Sequence, residues 1–478
     1  MTSIKFAMDG WKAVFAREFT FANCRLVSQA IATYLTAQNL TRKGLIIAYD
    51  HRFMAEVIAR ECARVIVGNG IRTYVMRKAA PTPLAGFAVR HLEAGGALVI
   101  TGGHYAPEYC GIKYLDSYGG PVLPEITETL EKEIERLGAN GRIYELDLYE
   151  AEKLDLYKEI DLERVYQDAL KKLIQARLFD KRNIKVVVDP MFGSGTGYLE
   201  KILQELGCEV KTIHNYRDPL FGGTPPEPTA DNLLALQNAV LTYQADIGLA
   251  MDGEAGRFGV VDDEGVWLES GQCMALLLGH LVKTRSTLGP AARTRATSTL
   301  VDRVAGRNGL QLHETQSGFA YLSQVLRERS CLLVGDETGQ LGIAGHVPIA
   351  DGILAGLLAV EMLLAEERPL SMIVKEFAAD YGSPVFLRYN IPLGPENKEE
   401  VEKKITQCQV RNLAGMKVIS CDCGRDLKIY MENGNWVLVR MSGLDSFLNV
   451  YIEGESQEQV ELIKDALLSM LGLLPEDK

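Results

Sequence analysis

The sequence predicts a multidomain α/β protein that ends in a part of different, antiparallel character. Three observations carry this. A chain of 478 residues is longer than one hydrophobic core can organise and points to roughly three or four domains. Short apolar runs alternate with helical stretches through most of the chain, as in mixed or parallel sheets flanked by helices. The C-terminal part instead alternates apolar and polar residues strand by strand, as antiparallel sheets do.

The elements follow in order. Gly44 to Tyr49 is a short apolar strand, Asp50-His-Arg52 a loop, and the next residues to Val67 a helix. Ile71 to Met76 is a second strand, and Pro81 and Pro83 break the chain before another helix. Ala97 to Ile100 is a buried strand that feeds a Gly-rich loop running to Lys113. A charged helical stretch from Glu125 to Leu137, and the segment to about Leu162, reads as a boundary. A second unit opens with the strand at Ile184 to Asp189 and the Gly-rich turn at Gly193 to Gly197. It continues through a strand at Glu209 to Ile213, a proline-rich loop at 221–228, and a strand at Ala245 to Ala250. A third unit holds Ser330 to Gly335 and a long helix after Asp351. Arg425 to Met431 and Trp436 to Arg440 are strands of the last part, which closes on a helix. The expected domains are 1–150, 151–260, 261–368 and 369–478. The first three share a strand, Gly-rich loop, helix style without a high-identity repeat.

Composition narrows the function classes. Hydrophobic content of 47% and charged content of 24% are ordinary for a globular protein. A formal charge of −12 argues against a general nucleic-acid binder. No apolar run reaches about 18 residues, so no membrane span is expected. The N-terminus lacks the apolar core of a signal peptide. The nine cysteines form no framework, and the pair Cys421 and Cys423 reads as structural or incidental. A cytoplasmic location with reduced thiols is expected.

The loop after Ile100 is the most informative stretch, because loops at the carboxyl ends of strands are where α/β proteins bind ligands. From Thr101 to Lys113 it resembles the phosphoserine loop T-A-S-H-N-P-x-x-Y-N-G-x-K of the α-D-phosphohexomutases, the phosphoglucomutase/phosphomannomutase family. Thr101, His104, Tyr109, Gly111 and Lys113 match, and the proline is displaced by one, to Pro107. The serine that carries the phosphoryl group in the family is Gly103 here. Near the N-terminus, Phe6 to Lys12 resembles F-G-T-D-G-W-R, with Lys12 in place of the arginine that contacts the phosphoserine. Asp50 and Arg52 match the family's D-x-R.

Three further loops resemble family motifs. Asp252-Gly-Glu-Ala-Gly-Arg257 resembles D-G-D-G-D-R, whose aspartates hold Mg²⁺ together with a phosphoserine oxygen. Asp252 is kept, Glu254 replaces the second aspartate and Gly256 the third, so Asp252 and Glu254 are the metal candidates. Arg257 is retained for a phosphate. Gly335 to Gln340 resembles the sugar-reading G-E-E-S-G, and Glu337 and Thr338 keep the carboxylate and hydroxyl suited to sugar hydroxyls. Upstream, Ala320 stands where the family has a basic residue. Arg440 to Asn449 resembles R-x-S-G-T-E-P-x-x-R. Arg440, Ser442 and Gly443 survive as a phosphate-binding set, while Leu444 removes a donor and Asn449 replaces the second arginine.

The resemblance implies three similar α/β domains plus a smaller C-terminal α+β domain around a central cleft. It implies a hexose phosphate ligand, with Lys12, His104 and Lys113 around position 103. Serine-phosphate mutase chemistry is expected to be lost or strongly impaired, and the sugar-phosphate site weakened. An active mutase whose phosphoacceptor has moved to Thr101, Tyr105 or Cys110 is the alternative, with Mg²⁺ and a hexose 1,6-bisphosphate activator. A regulatory or assembly partner of an active relative, as a homo- or hetero-oligomer, is the third reading.

Overall fold

The computed structural model describes residues 4–7, 10–180, 183–441 and 447–473. It divides into two compact units. The first takes in Met1–Thr294 and Val301–Lys375, the second Arg295–Leu300 and Glu376–Lys478.

The first unit holds three mixed sheets. The first sheet comprises β1 (Trp11–Val14), β2 (Leu45–Tyr49), β3 (Thr73–Met76), β4 (Ala97–Ile100), β5 (Tyr109–Leu115) and β6 (Tyr157–Ile160), in the order β1-β5-β4-β2-β3-β6. The second comprises β7 (Lys185–Asp189), β8 (Glu209–Thr212), β9 (Ile247–Met251), β10 (Phe258–Val261) and β11 (Trp267–Leu268), in the order β11-β10-β9-β7-β8. The third comprises β12 (Ala291–Thr294), β13 (Leu312–Thr315), β14 (Leu333–Gly335) and β15 (Leu341–Ile343), in the order β13-β12-β14-β15. The central strands β2, β4, β7 and β9 are apolar runs, buried almost throughout, which is what strands covered on both faces require. Helices such as Phe21–Ala37 and Ala55–Gly68 bury their apolar stripes in the core around Leu45, Ile47, Leu98 and Ile100.

One device recurs in all three sheets. A parallel strand leads into a loop, and the chain returns as an antiparallel neighbour: β4 to β5, β9 to β10, β14 to β15. The last pairs before each loop are Ile100↔Ile112, Met251↔Phe258 and Gly335↔Leu341. The loop at 101–111 therefore opens into a strand, where the sequence pattern suggested strand, loop, helix. The reason is pairing: β5 lies between β4 and β1 and bonds to both, so a helix there would leave two strand edges bare. Gly111 makes the approach of β1 possible, since a Cβ there would lie 2.8 Å from Lys12 Cγ.

The long helix Gly352–Glu366 begins where expected. The Asp351 carboxylate accepts from the amides of Ile353 (3.0 Å) and Leu354 (2.9 Å), an N-cap. No helix among the described residues is long and apolar enough to cross a membrane.

The second unit is one antiparallel sheet of β16 (Val385–Pro392), β17 (Asn412–Leu413), β18 (Met416–Cys423), β19 (Asp426–Met431), β20 (Trp436–Met441) and β21 (Phe447–Gly454). Its order is β16-β21-β20-β19-β18-β17, and the helices Pro395–Thr406 and Gln457–Leu471 pack on one face. On the other face, Ala296 joins Trp436, Leu438 and Tyr451 in a small cluster. Lys428, wholly buried, donates to the Arg295 carbonyl at 2.5 Å. Its ammonium lies 4.6 Å from the ring centroids of both Tyr430 and Trp436.

Candidate functional site

The three hairpin loops of the first unit meet. Thr82 N donates to the Glu254 carbonyl (3.0 Å) and Phe258 N to the Gly339 carbonyl (2.9 Å), tying the 252–257 loop to the helix Thr82–His91 and to the 336–340 loop. Arg257 and Gln340 form a β-bridge. Arg257 Nη2 lies 3.3 Å from His104 Nε2, which joins the 101–111 loop to the same cluster.

The first loop is fixed from beneath. The Thr101 hydroxyl donates to Asp50 Oδ2 (2.7 Å) and accepts from Gly103 N (2.9 Å). Arg52, only 1% exposed, donates to four loop carbonyls: Gly103 (3.0 Å), Tyr105 (2.6 Å), Ala106 (2.8 Å) and Tyr109 (2.7 Å). Its Nε also lies 3.4 Å from Asp50 Oδ2. Burial pushes the Asp50 carboxyl up, against the opposing effects of Arg52 and Thr101. Gly103 has φ +56°, a left-handed conformation that glycine adopts without penalty.

Above this floor lies a buried charge network. Glu254 Oε1 is ion-paired with Lys113 Nζ, and Glu254 Oε2 accepts from the Thr82 hydroxyl at 2.7 Å. Lys12, Lys113, Asp252 and Glu254 are all buried. Burial works to raise the Glu254 carboxyl, but Lys113 and Lys12 outweigh it and hold the group below its ordinary range. Asp252 is pushed up to about 7, by burial first and by Glu254 second. Lys12 Nζ lies 4.7 Å from the centroid of the Tyr105 ring. Arg257 Nη1 pairs with Glu227 Oε1 at 2.6 Å.

The sugar-type loop is arranged differently. Asp336 Oδ1 accepts from Thr338 N (2.9 Å), the Thr338 hydroxyl (2.7 Å) and Gln340 N (3.1 Å). Its carboxyl is pushed up to about 6 by burial and by Glu337. Glu337 Oε2 accepts from the Thr294 hydroxyl at 2.6 Å, and Glu337 and Thr338 stay half-buried.

Three domain models of the phosphoglucomutase/phosphomannomutase family match this chain: domain I over residues 3–140, domain II over 164–265 and domain III over 269–381. The chain belongs to this family. A phosphoglucomutase/phosphomannomutase of Thermococcus kodakarensis is 27% identical over 473 residues, 97% of this chain and 99% of its own. The structure of a protein assigned as a phosphomannomutase from Thermus thermophilus superposes with a TM-score of 0.84 at 28% identity, over 98% of this chain and 99% of that one. A more distant fold likeness, TM-score 0.61 at 12% identity over 98% and 96% of the two chains, is to Aspergillus fumigatus N-acetylphosphoglucosamine mutase in complex with GlcNAc-6P and magnesium.

In this member of the family the 252–257 loop does not fit a magnesium ion. Asp252 Oδ1 is taken by the amides of Gly256 (2.8 Å) and Arg257 (3.2 Å). Glu254 is committed to Lys113 and Thr82, and Gly256 offers no carboxylate. Asp252 Oδ2 is buried without a hydrogen bond, but one oxygen is far from the near-octahedral set that magnesium demands.

The sequence motifs thus placed Lys12, Gly103, His104, Lys113, Asp252, Glu254 and Arg257 in one neighbourhood. Arg440 lies on β20, in register with Asp426 on one side and Asn449 on the other. Ser442, Gly443 and Leu444 lie outside the described residues. Ala320 is buried in the helix Phe319–Arg329. Thr82, Glu227, Thr294 and Asp336 were missed. Only Asp336 carries a local signal, an acidic residue two and four positions before a hydroxyl and an amide that it binds.

Proposed function

We propose that this phosphohexomutase binds a hexose phosphate and does not run a serine-phosphate cycle at position 103. Its mutase turnover is lost or strongly impaired. The single observation behind this is Gly103: the loop that would present the phosphoryl carrier has no hydroxyl at its tip, and a charge network fills the space beside it. Losing a covalent nucleophile in a hydrolase triad costs on the order of a million-fold in turnover.

The neighbouring hydroxyl and thiol groups support the same reading. Thr101 is engaged with Asp50 and with Gly103 N. Cys110 is 1% exposed and its thiol is pushed far up by burial. The Tyr105 ring packs against the rings of His104 and Tyr109 and lies near the Lys12 ammonium. In the proposed roles, Glu337 and Thr338 read sugar hydroxyls, Arg257 is a phosphate-binding candidate, and Arg440, Ser442 and Gly443 are a separate phosphate-binding set. The proposal keeps four domains and a cytoplasmic site of action, with the boundaries expected at 150 and 260 moved past β6 and β11, which pair in the first and second sheets.

The test is a coupled mutase assay on the purified protein, with glucose 1-phosphate and mannose 1-phosphate, Mg²⁺ and a hexose 1,6-bisphosphate. The expected result is silence, with hexose phosphate binding detectable by calorimetry. Turnover in the ordinary enzymatic range of about 1–1000 per second would overturn the proposal. One covalent phosphate mapped to Thr101 or Tyr105 would then identify the relocated acceptor.

A further inference from the structure

We infer that Glu254 is a built-in anion standing in for the phosphoryl group that the family carries at position 103, and that Lys113 is its counter-ion in place of a divalent cation. The inference rests on the reading that residue 103 bears no phosphate, and concerns what fills the site instead.

Geometry comes first. A side chain at position 103 would place its Cβ 3.1 Å from Glu254 Oε1 and 3.8 Å from Lys12 Nζ. The carboxylate therefore sits within the reach of a phosphoryl group esterified to a serine at that position. It is held as such a group would be: by an ammonium on one oxygen and a hydroxyl on the other, with a second ammonium nearby. The extra methylene of glutamate, relative to the family's aspartate, lets the 252–257 loop reach across to Lys113 on β5.

Charge comes second. A buried ammonium costs several kcal/mol to desolvate unless an anion pairs with it. In the family pattern that anion is the phosphoserine, with a metal helping to balance it. Here Lys113 and Lys12 face Glu254, and Asp252 lies behind it. A divalent ion bound to Glu254 Oε1 would have to displace Lys113 or share its oxygen at contact distance, and both are opposed by like-charge repulsion.

Space comes third. A Cβ at Gly256 would lie in ordinary contact with Glu254 Oε1 at 3.7 Å and Asp252 Oδ1 at 4.0 Å, so position 256 borders the same two carboxylates. The missing ligand at 256 and the missing acceptor at 103 flank the one carboxylate that is lengthened. The three differences describe a single site that has been neutralised from within.

Two titrations on the full-length protein test this. In the first, Mn²⁺ is followed by electron paramagnetic resonance as a probe of the divalent site. The unaltered protein is expected to bind no stoichiometric Mn²⁺ below about 1 mM, the weak end of biological cation sites. In the second, inorganic phosphate is titrated calorimetrically into the unaltered protein and into Glu254→Gln. Freed of their carboxylate, Lys12 and Lys113 are expected to bind phosphate at least about tenfold more tightly in the variant. One Mn²⁺ per chain at submillimolar affinity, or a variant no better at binding phosphate, would overturn the inference. The Mn²⁺ arm needs no variant, so a misfolded Glu254→Gln leaves the test standing. Mutase turnover would sink the proposed function, whereas these titrations alone decide the stand-in anion.

Discussion

The loops at 101–111 and 336–340 close hairpins of the same kind, yet treat their polar groups in opposite ways. In the first, the guanidinium of Arg52 gathers four carbonyls from below, and Glu254 and Lys113 close the top with a buried ion pair. Its polar groups are spent on one another. In the second, Asp336 alone shapes the turn by accepting three hydrogen bonds, and Glu337 and Thr338 remain half-buried. The same backbone device can thus be locked by a buried ion pair or shaped by a single acceptor carboxylate. In the first case two distant side chains meet inside the protein; in the second one residue of the turn serves its own backbone.

The largest blow to this contrast is Arg52→Ala. It takes the cation from beside the buried Asp50 carboxylate, which keeps the Thr101 hydroxyl, and removes a donor from four carbonyls; it is expected to cost about 3–5 kcal/mol. Denaturant unfolding checks this. A loss under about 1 kcal/mol, the net worth of one ordinary hydrogen bond, would mean that the loop holds itself. Arg52→Lys should recover little, since an ammonium cannot span four acceptors as a planar fork does.

Gly103→Ser comes next. A side chain at φ +56° costs roughly 1–2 kcal/mol, and its Cβ crowds Glu254 Oε1. The single variant is expected to stay silent in the mutase assay and unmodified by intact mass. Phosphate should appear only when Glu254→Asp and Gly256→Asp are added. Turnover by the single variant would show that the charge network yields to a phosphoryl group.

On the recognition side, Glu337→Gln, which keeps an acceptor for Thr294, is expected to weaken hexose phosphate binding roughly tenfold, or about 1.4 kcal/mol, with little change in stability. Equal affinity would remove this loop from the ligand site.

The smallest effect is one of pH. Asp336 has its carboxyl raised from the ordinary 3.8 to about 6, so between those values the folded protein holds a proton that the unfolded chain does not. The stabilisation is complete below the ordinary value and fades as pH rises through about 6. Raising pH from about 5 to about 7 should cost about 1 kcal/mol through Asp336, and Asp336→Asn should reduce the slope by that share, leaving the share of Asp252. An unchanged slope in the variant would place the titrating group elsewhere.

Much of this was legible before any coordinates. Apolar runs such as Leu45 to Tyr49 and the helix after Asp351 are local signals, and the motif positions of Gly103, His104 and Lys113 come from the resemblance to the family's loop. What the chain hides is pairing across distance. Lys113 and Glu254 are 141 positions apart, and nothing near either residue announces the other. Arg52 looked like a motif match, but its burial and its four carbonyl partners depend on how the 102–109 backbone folds over it. The antiparallel return of β5 was missed because a Gly-rich turn after a buried strand precedes a helix as readily as a hairpin. Only β1, almost a hundred residues earlier, makes the hairpin necessary.

The C-terminal sheet borrows six residues, Arg295–Leu300, from the middle of the chain. Its inheritance is therefore split. A fragment cut to begin after Tyr381 would carry every strand of that sheet, but Lys428 would lose the carbonyl it donates to, and Trp436 and Tyr451 would lose Ala296. During synthesis, residues 295–300 leave the ribosome long before the strands that will claim them. The last domain cannot complete the small cluster on that face of its sheet until a piece of chain made much earlier is threaded back against it. Shuffling that domain between relatives as a simple C-terminal swap would leave the borrowed piece behind.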